Sequence, residues 1–178
     1  MYKVETTYLS EEVRLILLAL LGCGLITIGS LIRIPFYPVP FTMQTLVIFI
    51  LALTQSPKQA FASVVCYLFC ATAGLPVLDG KMNVLWFTGK CGGYLIAFPI
   101  AAFVIARMRQ RGSALIALLC GEAIILLIGG LWLVPFLGAK TAFIKGVLIF
   151  IPSALCKMFA ALAFVKVYPN NLKNWLLG

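Results

Sequence analysis

The chain has 178 residues, of which 63% are hydrophobic and only 11% are charged, and its mean hydropathy is +1.10. A soluble domain of this length has too little interior to bury so many apolar side chains, so the composition excludes that class and predicts an all-α integral membrane protein. The net charge of +9 comes from basic residues scattered between apolar runs, which fits topology control and contact with anionic lipid rather than nucleic-acid binding.

At about 20 residues per helix, the chain has room for roughly six membrane-spanning helices joined by short loops. Breaks at Pro and Gly separate the apolar runs and predict a single membrane domain over residues 1–178. The predicted spans are residues 13–32, 43–53, 59–73, 93–106, 113–136 and 152–168. Glutamates precede the first run, which is also too long for a signal-peptide core, so we expect it to be the first true span.

A polar turn lies between the first two spans, in the segment Pro38-Val-Pro-Phe-Thr-Met-Gln-Thr-Leu46. Irregular backbone at membrane depth is stable only where it is buried in protein or lines a cavity. The segment therefore indicates a substrate site or its lid, and Gln44 is its candidate ligand contact.

The longest irregular region covers residues 74–92 and mixes polar with aromatic side chains. It offers an acceptor, an amide, cations and apolar walls, which suits a small ligand with a polar head, an apolar body and an anionic end. The alternative is a set of ordinary solvated loop residues. The candidates in and next to this region are Asp79, Asn83, Trp86, Lys90 and Tyr94.

Two ionisable residues interrupt the later spans. Lys157 lies about five residues inside the sixth helix, roughly 7–8 Å along its axis, and a charge at this depth usually faces a cavity or a partner. Its amine can donate to a ligand carbonyl or carboxylate, although snorkelling to the interface is the alternative. Glu122 in the fifth helix is expected to be a structural partner of Lys157 rather than a ligand contact.

Small residues follow one side of the first helix at Ala19, Gly22 and Cys23. Such spacing allows close approach of two helices, so it fits either internal packing or a docking face for another membrane subunit.

The chain carries no catalytic or cofactor signature. Its six cysteines form no CxxC pair and it has no histidine, so neither a zinc site nor a Cys/His nucleophile is predicted. The segment Gly89-Lys-Cys-Gly-Gly-Tyr94 lacks the spacing of a P-loop. We therefore expect no enzyme activity and no bound cofactor, and any energy for transport must come from a partner.

The distribution of basic residues predicts that both termini are cytoplasmic. Eight Lys and Arg residues fall on the side of the termini and five on the other, which is the bias of the positive-inside rule. This orientation places the polar turn, the 74–92 loop and a half-polar connector over residues 138–151 together outside, as an outward-facing pocket requires.

Several motifs occur in an order that resembles one family. They are Arg33-Ile-Pro35, the Pro38–Leu46 segment, Gly74-Leu-Pro-Val77, Gly89-x-x-Gly-Gly-Tyr94 and Pro152-x-x-Leu-x-Lys157. Across roughly residues 13–168 the chain resembles the biotin-specific substrate-capture subunits (S-components, the BioY family) of energy-coupling-factor transporters.

The resemblance implies an S-component-like fold and high-affinity biotin uptake across a prokaryotic inner membrane. It also implies two kinds of partner, namely a membrane coupling subunit (T-component) and two ABC-type ATPases that use the ATP. Lys157 stands where the family places a lysine near the ureido ring. The stripe at Ala19, Gly22 and Cys23 is similar to the family's docking face.

Two positions depart from the family pattern. Ser153-Ala154 replaces the usual Gly-Asp, and a ligand donor left unpaired by the missing carboxylate costs about 1–3 kcal/mol. Either Asp79, Asn83 or Glu122 compensates, or the ligand is another anionic vitamin such as lipoate. The loop motif also differs, and Lys90 is the candidate for capturing the ligand carboxylate. A structural membrane subunit is the alternative from another class.

Overall fold

The computed structural model describes residues 11–78, Gly80 and residues 82–167, and six helices account for most of this part of the chain. They are α1 (Glu11–Leu31), α2 (Gln44–Thr54), α3 (Pro57–Thr72), α4 (Gly92–Arg109), α5 (Ala114–Leu137) and α6 (Ala139–Val167). Two short strands, β1 (Arg33–Ile34) and β2 (Phe41–Thr42), pair antiparallel and close the polar turn between α1 and α2.

The helix ends follow local sequence signals. Ser56 and Gln59 form a capping box at the start of α3, and Pro57 occupies its first turn, where its missing N–H costs nothing. Gly138 adopts a φ of 76°, which other residues rarely adopt, and this turn separates α5 from α6. The first five helices begin and end within three residues of the predicted bounds.

The sixth helix differs from its prediction. Residues 138–151 were expected to form a connector because they carry Lys140 and Lys145, but α6 starts at Ala139 and continues for 29 residues. Its segment Ile144–Leu148 has π-helical hydrogen bonding. The buried Gly146 lies in that segment, and its carbonyl accepts a hydrogen bond from the Tyr94 hydroxyl at 2.6 Å. This contact with α4 helps to hold the half-polar stretch in the helix.

Four of the described helices, α1, α4, α5 and α6, are long and apolar enough to cross a membrane. The 11 residues of α2 extend only about 16 Å at 1.5 Å per residue, which is about half of a hydrocarbon core of about 30 Å. The chain is therefore a multi-pass membrane protein, and its described residues form the predicted six helices. In this arrangement α2 is buried against α1, α4 and α6.

The small-residue stripe on α1 packs inside the chain. Ala19 and Cys23 are only 9% and 7% exposed, and a Cβ at Gly22 would overlap the Ser63 side chain on α3. The prediction that these three residues form a docking face therefore disagrees with their position in this structure. Their small size is used for the close approach of α1 to α3, which is the other interpretation that the spacing allowed.

Candidate functional site

A cavity of about 330 Å³ opens among α2, α4, α5 and α6, beneath the polar turn and the 74–92 loop. Its volume lies within the range of about 300–1,000 Å³ that is typical of small-molecule sites. Most of its wall is apolar, and a few polar side chains converge on it. This combination is the arrangement that fixes the orientation of a small amphipathic ligand.

The structure brings the predicted site residues together around this cavity. The wall includes Gln44 from α2, Asn83, Trp86 and Lys90 from the long loop, Tyr94 from α4 and Lys157 from α6. Asp79 was also predicted to contact the ligand, but it lies outside the described residues. Segments far apart in the chain thus meet at one site because α2, α4 and α6 pack against each other.

The polar end of the cavity lies between α5 and α6. The Lys157 Nζ donates a hydrogen bond to the Thr45 Oγ1 at 2.9 Å, and its charge interacts with the Glu122 carboxylate across the cavity. Glu122 is 8% exposed, and its Oε2 atom has no hydrogen-bond partner within the described part of the chain. Glu122 as a residue lines the cavity, so its carboxylate is a candidate acceptor for a ligand donor, although the Oε2 atom itself is covered by surrounding atoms.

Gln44 is engaged mainly with the protein. Its amide oxygen accepts a hydrogen bond from the Thr42 hydroxyl at 2.8 Å, and its amide nitrogen donates to the Tyr67 hydroxyl. The Tyr67 hydroxyl in turn donates to the Val77 carbonyl at 3.3 Å. This buried network fixes the polar turn to α3 and to the start of the long loop, so Gln44 shapes the cavity wall as well as facing the cavity.

The aromatic wall is held by hydrogen bonds at its polar tips. The Trp86 Nε1 donates a hydrogen bond to the Thr72 Oγ1 at 3.1 Å, and the Tyr94 hydroxyl donates one to the Gly146 carbonyl. The ring of Phe150 lies 6.0 Å from that of Tyr94 between centroids. These rings therefore present their faces and edges to the cavity as a rigid apolar surface.

Lys90 and Tyr37 meet at the mouth of the cavity. The Lys90 Nζ donates to the Tyr37 hydroxyl at 2.7 Å and lies 4.4 Å from the centroid of the same ring. The hydrogen bond from Lys90 lowers the pKa of Tyr37. The contact joins the residue before the polar turn to the long loop, and Lys90 supplies a second cation to the cavity lining.

Sequence reasoning missed part of the lining. Glu122 was expected mainly to be a structural partner of Lys157, with ligand contact as the alternative, and in the structure it lines the cavity. Apart from Trp86 and Tyr94, the apolar lining was not singled out, because apolar side chains inside a membrane helix have the same hydropathy whether they face lipid, core or cavity. The missed apolar positions include Val39, Leu78, Phe98, Ile125, Leu126 and Phe150.

The sequence and the fold have counterparts in known proteins. A sequence profile described as the BioY family matches residues 3–174. The probable biotin transporter BioY of Pyrococcus horikoshii is 34% identical over 163 residues, covering 91% of this chain and 98% of that protein. The probable biotin transporter BioY of Rickettsia prowazekii is 32% identical over 179 residues, covering 97% of this chain and 90% of that protein.

One solved structure also matches. It is the S-component for biotin from an ECF-type ABC transporter, which aligns with a TM-score of 0.75 at 29% sequence identity. The alignment covers 87% of this chain and 90% of that one, so the similarity extends over nearly the whole fold.

Proposed function

The chain belongs to the BioY family, and we propose that it captures biotin for uptake across the cell membrane as the S-component of an energy-coupling-factor transporter. The observation that carries the proposal is the cavity, whose lining combines the polar pair Lys157 and Glu122, a set of aromatic side chains and the cation of Lys90. Biotin has the same three parts, namely a ureido ring, an apolar ring and chain, and a carboxylate.

The ureido ring belongs at the polar end. Its carbonyl accepts a hydrogen bond from the Lys157 ammonium, and one of its N–H groups donates to the Glu122 carboxylate. Ala154, where the family usually has a carboxylate, lines the same cavity from α6. A carboxylate from α5 thus supplies the acceptor that α6 lacks.

The other end of biotin belongs near the mouth. The apolar ring and chain contact the aromatic wall of Trp86, Tyr94 and Phe150, and the carboxylate pairs with Lys90, with Asn83 beside it. Both loop residues line the cavity. Lys157 and Lys90 thus match the two acceptor groups of biotin, namely the ureido carbonyl and the carboxylate.

Lipoate is the second candidate ligand, because Ala154 removes a family carboxylate. Lipoate has a carboxylate and an apolar ring but no ureido N–H groups, so it would leave the Glu122 carboxylate without a ligand donor. This loss, about 1–3 kcal/mol, favours biotin. A purely structural subunit does not require a cavity lined by the two lysines Lys90 and Lys157.

Binding of radiolabelled biotin to the purified, detergent-solubilised chain tests the proposal. We expect saturable binding that unlabelled biotin displaces and that excess lipoate leaves in place. A folded sample that binds no biotin would contradict the proposal, and equal displacement by lipoate would reassign the ligand.

The contact at the mouth is expected to slow release of the ligand. Tyr37→Phe removes the hydrogen bond from Lys90 but keeps the ring beside the ammonium. Because one hydrogen bond to a charged donor is lost, biotin should dissociate about tenfold faster, with a smaller change in the association rate. A chase of bound radiolabelled biotin with unlabelled biotin measures the rate, and an unchanged rate would show that the contact does not close the site.

We further propose that the chain works in a prokaryotic inner membrane with both termini cytoplasmic, together with a T-component and two ABC-type ATPases. The basic residues support this orientation, which opens the cavity to the outside. The exposed side of α1 is the proposed docking surface for the T-component. It presents Gly24 among the exposed apolar residues Leu17, Leu20, Leu21 and Ile28.

Gly24→Trp is expected to block assembly with the T-component without affecting biotin binding. A Cβ at Gly24 has no atom within 4 Å, so the larger side chain fits the chain itself and obstructs only a partner that approaches closely. Co-purification of the T-component and ATPases with the tagged chain is the measurement. Leu131→Trp on α5, at a site that is 70% exposed, is the matched control and should assemble normally.

A further inference from the structure

Three thiols converge where α1 packs against α3. Cys66 and Cys70 lie one turn apart on the same face of α3, and Cys23 approaches them from α1. The three sulfur atoms all lie within 4.8 Å of one another, and the Cys23 and Cys70 sulfurs are 3.9 Å apart. All three are free thiols.

The cluster depends on tertiary packing and not on a sequence motif. Its members are separated by 43 to 47 residues between the two helices, and the chain has neither a CxxC pair nor a histidine, so the sequence predicted no metal site. Gly22, next to Cys23, permits the close approach of α1 to α3, because any larger residue would overlap Ser63. Cys23 is buried, while Cys66 and Cys70 are half-buried.

We propose that this cluster is a binding site for one soft monovalent cation, Cu(I), held by three sulfur ligands. A metal about 2.3 Å from each sulfur with angles of 120° separates two ligands by about 4.0 Å, which matches the 3.9 Å between Cys23 and Cys70. Cysteine sulfur is a soft ligand that selects Cu(I) and Zn(II) over harder cations. Structural zinc is almost always four-coordinate, whereas the described residues supply three ligand atoms here.

Cysteine binds a metal as the thiolate, so each sulfur that binds Cu(I) releases its proton to solvent as H⁺. The three thiols lie outside the biotin cavity lining, so this site is independent of the proposed function.

Titration with Cu(I) tests the site. The purified full-length chain, reduced with a phosphine and kept free of oxygen, is titrated against a chromophoric Cu(I) chelator. We expect one Cu(I) per chain to be withdrawn from the chelator, with a copper X-ray absorption spectrum that shows three sulfur ligands at about 2.3 Å. Failure of the folded chain to withdraw stoichiometric Cu(I), or a spectrum with mainly nitrogen or oxygen ligands, would overturn the proposal.

Variants and thiol labelling locate the site. Cys66→Ser and Cys70→Ser should each weaken Cu(I) binding by about tenfold or more, because serine oxygen is a poor ligand for a soft cation. Cys156→Ser, at an exposed position on α6, is the control and should bind as the parent does. In the unmodified chain, Cu(I) should protect Cys66 and Cys70 from a membrane-permeant maleimide but not Cys156. Equal labelling with and without Cu(I) would contradict the assignment, whether or not the variants fold.

Discussion

Replacing Lys157 by methionine is expected to produce the largest loss of biotin binding. The variant keeps an unbranched side chain and removes the ammonium, which donates to Thr45 at 2.9 Å inside the cavity. A hydrogen bond from a charged donor contributes about 1.5–3 kcal/mol, which corresponds to an increase of about 10- to 100-fold in Kd. Methionine also fills the space, so no cavity is created in the polar end of the site.

Equilibrium binding of radiolabelled biotin to the purified variant measures this effect. Lys166→Met is the matched control, because Lys166 lies on the same helix at an exposed position outside the cavity. Thermal unfolding of both variants, followed by tryptophan fluorescence, verifies that they are folded. If Lys157→Met bound biotin as tightly as the parent chain, the placement of the ureido ring would be wrong, while biotin capture itself would stand.

The helices were largely predictable because backbone groups must be hydrogen-bonded within the protein whether a segment faces lipid or the protein core. An apolar run at membrane depth must satisfy its own hydrogen bonds, so it forms a helix until Pro or Gly interrupts it. Gly138 marks such an interruption and separates α5 from α6. The start of α6 was mispredicted because Lys140 and Lys145 are polar residues of the kind found in loops. In the structure, the hydrogen bond from the Tyr94 hydroxyl to the Gly146 carbonyl supports the helix.

The polar half of the site was predictable for a related reason. A lysine inside an apolar helix is costly unless a cavity or partner compensates it, so Lys157 stood out in the sequence and lines the cavity in the structure. The polar turn containing Gln44 stood out in the same way. Both signals come from residues that do not suit lipid.

The remaining features depended on which way a residue faces, which hydropathy does not encode. Phe98 and Phe150 line the cavity, but a phenylalanine facing lipid would be equally apolar. Ala19 and Gly22 suit any close helix contact, so their spacing did not distinguish α3 from a partner subunit. Glu122 was expected mainly to pair with Lys157, with ligand contact as the alternative, because the sequence does not show that the residue lines the cavity.

The second large effect is expected from Glu122→Gln. Glutamine has nearly the same shape as glutamate, so the variant removes the negative charge while keeping the packing at a position that is 8% exposed. The ureido N–H then meets a neutral amide instead of a carboxylate, and a charge-assisted hydrogen bond is roughly twice as strong as a neutral one. Biotin affinity should fall by about tenfold, or about 1.4 kcal/mol.

A carboxylate introduced on α6 tests whether Glu122 is an acceptor for the ligand. Ala154 lines the cavity from α6, at the position where the family usually has Asp. In the Glu122→Gln background, Ala154→Asp should recover most of the lost affinity, whereas Ala154→Asn should recover little. Ala154→Asp alone would add a second carboxylate near Glu122, and repulsion between two buried like charges should weaken binding or folding. If Glu122→Gln lowered affinity but Ala154→Asp failed to restore it, the proposal that Glu122 replaces the family carboxylate as the ligand acceptor would be contradicted.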